Sequence, residues 1–226
     1  AASAAAVAAV IAGAAGIVAG QGNAAPPTNA DNVPRKSFRF GHAQLKHGLL
    51  KVKGTRANDA IALRLKAGDP GTLQVDFGDN GSADFSFARA KIVRIVVDAR
   101  SGDDRVRIDD GNGAFTDGIP TTIDGAGGND TLAGGKRNEL LLGGDGNDSI
   151  DGNGGNDLAL LGTGADTFVW DPGDGSDVVE GQDGADTMVF NGANADEQPI
   201  ALSADGRRVE LFRNPGAITM DTNDVE

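Results

Sequence analysis

The chain has no cysteine, no tyrosine and a single tryptophan, and aromatic residues make up only 4% of its 226 residues. Without cysteine there is no disulfide framework and no thiolate metal site. So few large rings leave little bulk for an ordinary core. Only two histidines occur, His42 and His47, which disfavours zinc. Common catalytic signatures are missing as well. His42 and His47 lie five apart in GHAQLKHG without the glutamate of a zinc protease, and no G-x-S-x-G nucleophile elbow occurs. Gly135-Lys136 runs into Arg137 and lacks the rest of a phosphate-binding loop. Nothing in the sequence points to an enzyme.

What the chain has in excess is glycine, 35 residues, and acid, for a net charge of −13. The acid is concentrated. Residues 101–196 hold 20 acidic and 4 basic residues, whereas residues 1–100 hold 7 and 13. Such a balance excludes nucleic acid as a partner of the glycine-rich part and favours cations.

Four regions precede or follow that part. Residues 1–24 form an uncharged Ala-rich run ending in Gly22-Asn23-Ala24, a small-x-small pattern that predicts a signal-like leader, with no stable membrane span in the mature chain. Residues 25–40 read as a linker containing APPTNADNVP. Over 41–98, segments such as LLKVKG, AIALRLK and IVRIVVDA alternate apolar and polar residues between Gly/Asp turns, predicting a β-rich, solenoid-like region. Residues 197–226 predict a hairpin around Asp205-Gly206 and one further strand, with an open end that suggests continuation beyond Glu226.

Residues 99–196 carry a nine-residue repeat, clearest in GGDGNDSID (143–151) and GNGGNDLAL (152–160). Further units are GAGGNDTLA (125–133), GGKRNELLL (134–142), LGTGADTFV (161–169), PGDGSDVVE (172–180) and GQDGADTMV (181–189). ARSGDDRVR (99–107) and GTRANDAIA (54–62) fit loosely, with Asp59 five periods before Asp104. Each unit joins a glycine turn ending in an acid to a short β segment with one apolar residue at the eighth place. Two units make one 18-residue lap. That spacing predicts two stacked files of acids: Asp130, Asp148, Asp166 and Asp186 on one edge, Glu139, Asp157 and Asp177 on the other. Strands stack about 4.8 Å apart, so such files repel unless a hard divalent cation bridges them with turn carbonyls.

The tandem units resemble the hemolysin-type (RTX) calcium-binding repeat, G-G-x-G-x-D-x-U-x, and GGDGNDSID matches every specified place. The resemblance implies an all-β fold, a right-handed parallel β-roll or β-solenoid, with two to four calcium ions between stacked turns. It nominates the side chains of Asp130, Asp148, Asp157, Asp166, Asp177 and Asp186, and turn carbonyls of Gly143, Gly144, Asp145, Gly146, Gly152 and Gly154. Departures fall at Glu139, at Arg137 in a glycine place, at Leu161 and Pro172 in first places, and at the two-residue insertion 170–171. The implied role is a secreted or cell-surface calcium-binding module whose folding is coupled to the ion. The alternative is an accessory solenoid of a polysaccharide-acting enzyme or adhesin, partnered by surface polysaccharide or by other modules of a longer chain.

Overall fold

A computed structural model describes residues 41–192, 201–205, 208–213 and 218–223, so the expected leader and linker over 1–40 lie outside the described residues. The described chain begins with a hairpin of β1 (His42–Lys46) and β2 (Leu49–Lys53), reversed through His47 and Gly48, both at positive φ. An antiparallel meander follows: β3 (Ala60–Lys66), β4 (Asp69–Phe77) and β5 (Phe85–Ala88). Then come β6 (Arg94–Asp98) and β7 (Arg105–Asp109).

From there the chain winds in laps of one longer and one shorter strand. The pairs are β8 (Thr121–Gly127) and β9 (Thr131–Ala133), β10 (Glu139–Asp145) and β11 (Ser149–Asp151), β12 (Leu158–Gly164) and β13 (Thr167–Trp170), and β14 (Val178–Gly184) and β15 (Thr187–Phe190). Last are β16 (Ala201–Asp205), β17 (Arg208–Arg213) and β18 (Ile218–Asn223).

Two sheets result. One runs β1-β2-β6-β8-β10-β12-β14-β18-β17-β16, the other β15-β13-β11-β9-β7-β3-β4-β5. Pairing between successive laps is parallel throughout; antiparallel pairs occur only towards the ends of each sheet. Leu141 sits opposite Ile123 and Ala159, a stagger of 18 residues on either side, so one lap equals two nonapeptides. The fold is the all-β, largely parallel roll that the repeat implies.

The eighth-place residues line the space between the sheets. Leu132, Leu141, Ile150, Ala159, Phe168 and Val179 are fully buried, and Met188 packs partly buried against them. Period-two geometry places one inward side chain in each three-residue segment. The insertion at 170–171 has a clear use: Trp170 is buried, stacks on Phe190 at 4.3 Å and donates its indole N–H to the Gly175 carbonyl, closing the widened turn.

The upstream part differs from an extended run of repeats. The 45 residues from Asp59 to Asp104 are one lap, not five nonapeptide periods. The lap is swollen by β4, β5 and a 3-10 turn, Arg89–Lys91, before β6 returns the chain to the first sheet. Gly68 at φ +74° permits the reversal that starts this excursion. Most large apolar burial sits here, including Leu50, Ile61, Leu63, Leu73, Val75 and Phe77. Buried Asp76 pairs with Arg64 at 2.9 Å, and half-buried Asp79 receives a two-point contact from Arg107 at 2.7 Å.

Candidate metal centre

The acid files form as the 18-residue lap predicts. Each aspartate of the files ends a turn just before a strand, and one of its oxygens accepts the backbone N–H of the acid one lap earlier. Asp130 N–H donates to Asp148 Oδ1 at 2.8 Å, Asp148 N–H to Asp166 at 2.7 Å, and Asp166 N–H to Asp186 at 3.0 Å. On the opposite edge Glu139 N–H donates to Asp157 at 2.7 Å and Asp157 N–H to Asp177 at 2.8 Å. The second-edge file spans the register change after Trp170, where the step lengthens from 18 to 20 residues.

The first file also extends further than its spacing reveals. Asp104 N–H donates to Asp130 Oδ1 at 2.7 Å and Asp59 N–H to Asp104 Oδ1 at 2.6 Å. These steps are 26 and 45 residues long. The 26-residue step takes Asp104 off the 18-residue count from Asp130; its signals in the sequence are the loosely fitting unit ARSGDDRVR and the S-G-D-D turn before a β segment. Asp59 ends the file differently. Its second oxygen accepts from the amide and hydroxyl of Thr55 at 2.6 and 2.9 Å.

The other members are more deeply buried. Asp104, Asp130, Asp148, Asp157, Asp166, Asp177 and Asp186 are at most 2% exposed, and Glu139 is 4% exposed. In Asp104, Asp130, Asp148, Asp157, Asp166 and Glu139 the second carboxylate oxygen is buried without a hydrogen bond. A buried carboxylate oxygen left without donor or cation is costly.

The glycines explain where those oxygens point. A Cβ added at Gly125 would lie 2.3 Å from Asp130 Oδ2 and 2.7 Å from the Gly143 carbonyl. At Gly143 it would lie 2.5 Å from Asp148 Oδ2 and 2.1 Å from the Leu161 carbonyl, and at Gly152 2.4 Å from Asp157 Oδ2. At Gly134 the neighbours are the Gly152 carbonyl at 2.3 Å and Glu139 Oε2 at 3.1 Å. A first-place glycine therefore leaves a cradle into which its own unit's carboxylate and, at Gly125, Gly134 and Gly143, a carbonyl from the next lap converge.

Other nominated carbonyls lie close by. Those of Gly144 and Gly146 press against the Cα atoms of Gly162 and Gly164, where a Cβ would come within 2.0 and 1.9 Å. The Asp145 carbonyl accepts from Gly128 N–H at 2.8 Å, and Gly154 uses its amide on the Gly135 carbonyl at 2.8 Å. The Leu161 carbonyl, absent from the expected donors, has no residue-type signal because a backbone oxygen looks alike in every residue.

Beside each acid file runs a second ladder of opposite direction. Here the fifth-place side chain accepts from the following lap: Asn129 Oδ1 from Asn147 N–H, Asn147 Oδ1 from Ala165 N–H, and Asn138 Oδ1 from Asn156 N–H, at 2.8–2.9 Å. Asp103 serves in the same way, accepting from Asn129 N–H at 2.8 Å. The Asn-Asp pair thus ties each turn to the laps on both sides, with the amide outside and the acid inside.

Burial sets the electrostatics. Desolvation, the leading cause throughout, pushes the carboxyls of Asp104 and Asp148 up to about 6, Glu139 and Asp177 to about 7, and Asp157 to about 9. Asp130 and Asp166 are raised too. Neighbouring acids add to the rise, while the amide donated from the preceding lap opposes it. Among the described residues no three His, Cys, Asp or Glu side chains cluster as a metal-binding group. The acids form a file one carboxylate wide, so an ion held between laps would draw most of its oxygens from turn carbonyls. Hard, all-oxygen donor sets of this kind fit calcium. His42 lies apart, edge-on to Phe85.

A family model described as the RTX calcium-binding nonapeptide repeat matches residues 122–136, 134–168 and 173–194, in four copies. A search of curated proteins finds no match. Asp59 and Asp104 lie outside the matched residues, although their carboxylates continue the same file. The orphaned carboxylate oxygens, the glycine cradles and this match agree: the chain carries a calcium-binding module of the hemolysin-type RTX repeat family.

Proposed function

We propose that the chain is a secreted or cell-surface structural module that folds when calcium binds between its laps. One observation carries this reading: five stacked aspartates, Asp104, Asp130, Asp148, Asp157 and Asp166, bury an oxygen that accepts no hydrogen bond, in a region holding 20 acidic and 4 basic residues. Asp130, Asp148, Asp157, Asp166, Asp177 and Asp186 are the proposed side-chain ligands, supported by carbonyls of Gly143, Gly144, Asp145, Gly146, Gly152 and Gly154 and by that of Leu161. When bound, calcium supplies the positive charge that the files lack. The chain's own part is to aim the carboxylates: one oxygen is fixed by an amide of the neighbouring lap, which leaves the other turned into the cradle.

Without the ion, repulsion along the files and the backbone entropy of the glycines oppose folding of the repeats. An ion that binds only the folded form adds RT ln 11, about 1.4 kcal/mol, per site at tenfold excess over its dissociation constant. Extracellular modules with such ligands bind at roughly 0.1–1 mM. The module then stays open in low-calcium cytosol and folds outside. Circular dichroism in EGTA and then in millimolar calcium tests this: the β signal of the full chain rises on calcium addition. A spectrum identical in both rules the coupling out.

A further inference from the structure

We propose that the head of the second acid file is a calcium site of mixed origin, built by Asp110 and Thr116 from the segment between β7 and β8 together with Glu139. The proposal rests on the calcium reading above but adds Asp110 and Thr116, which the repeat pattern does not supply.

Glu139 is the one glutamate in a file of aspartates. Its Oε2 accepts Gly135 N–H at 2.8 Å, and its Oε1 is buried without a partner. Asp110 Oδ2 accepts the next amide, Lys136 N–H, at 2.7 Å, and its Oδ1 is likewise buried and unpartnered. Two consecutive amides of one turn therefore hold two carboxylates side by side, each with an oxygen to spare. Gly135 makes the approach possible, since a Cβ there would meet Asp110 Oδ2 at 3.0 Å.

Thr116 supplies a third oxygen. It is 4% exposed, and its hydroxyl lies beside the Glu139 carboxylate yet makes no well-formed hydrogen bond. The nearby guanidinium of Arg137 is engaged elsewhere, by Asp117 of the same segment, which pins that segment onto the turn. No ion pair among the described residues reaches Asp110 or Glu139. Two carboxylates, each with a buried free oxygen, and a hydroxyl, with no nitrogen or sulfur donor, call for a hard divalent cation of flexible coordination, and calcium fits that description better than magnesium. The eight residues by which the step from Asp104 to Asp130 exceeds 18 thus replace a repeat turn with donors of another kind.

The test uses the full chain and calcium chloride. Bound calcium per chain is counted by equilibrium dialysis, and unfolding midpoints are measured in calcium and in EDTA. Asp110→Asn preserves the acceptor for Lys136 N–H while removing the charge. The expected result is about one ion fewer per chain, a lower midpoint in calcium, and an unchanged or higher midpoint in EDTA. An unchanged calcium count overturns the proposal, as does an equal loss of stability in both media, which marks a purely structural residue. Thr116→Val, free of any charge change, provides a second reading and should weaken calcium binding at one site only. If the unaltered chain binds no calcium at all, the reading of the repeats fails along with this one. If it binds calcium and Asp110→Asn retains every ion, only the mixed site fails.

Discussion

Replacing Asp148 by Asn separates the charge of a file member from its hydrogen bond. The side-chain oxygen that accepts Asp130 N–H survives, and the negative charge over Gly143 disappears. In calcium at tenfold excess the variant loses one site, about 1.4 kcal/mol, and more if the neighbouring ion also loosens. In EDTA the sign reverses. Burial lifts the Asp148 carboxyl from its ordinary 3.8 to about 6, so above pH 6 its ionisation works against the fold. At about 1.4 kcal/mol per pH unit of displacement, neutral Asn relieves the metal-free roll of on the order of 1–3 kcal/mol at pH 8. Urea unfolding followed by circular dichroism, with calcium and with EDTA, measures both arms. Asp103→Asn is the control, because Asp103 belongs to the outer ladder and Asn retains its acceptor for Asn129 N–H; a change within about 0.5 kcal/mol is expected. Equal destabilisation of Asp148→Asn in both media refutes the reasoning, since an acid that only braces the turn has no cause to change sign.

The pH dependence of the metal-free chain follows from the same displacement. Asp104, Asp148, Glu139, Asp177 and Asp157 have raised carboxyl values of about 6 to 9, so their favourable contribution is complete below about pH 4 and fades as pH climbs through those values. Acidifying the chain in EDTA from pH 8 to 4 should therefore increase its β signal, and calcium affinity should fall over the same range; a β signal that drops on acidification contradicts this. Gly143→Ala should cost more than 3 kcal/mol and remove a calcium site, because its Cβ would strike Leu161 O and Asp148 Oδ2, whereas Gly68→Ala, with open space around it, should cost about 1 kcal/mol for its positive φ. Thermal denaturation in calcium ranks the two. Gln182 holds φ at +73° at a place where Gly162 and Gly144 stand in the two preceding laps, so Gln182→Gly should raise stability by about 1 kcal/mol in calcium, and a lowered midpoint argues against strain there.

The nonapeptide spacing was enough to determine which acids share an edge. In a parallel roll the residue above position i is the one a full lap later, so counting 18 residues places Asp148 between Asp130 and Asp166 without any coordinates. Period-two alternation likewise assigns Leu132, Leu141 and Ile150 to the interior. Other features were decided only in three dimensions. Insertions change the count without changing the stack, which is why Asp104 joins the file at steps of 26 and 45 residues. The Leu161 carbonyl enters a cradle as a backbone atom, and backbone atoms leave no trace in residue identity. The opposed directions of the Asn and Asp ladders depend on which lap each side chain faces, a choice made by turn geometry. The meeting of Asp110, Thr116 and Glu139 belongs to the same class: residues 29 positions apart in sequence become neighbours only because one irregular segment folds back over a regular turn.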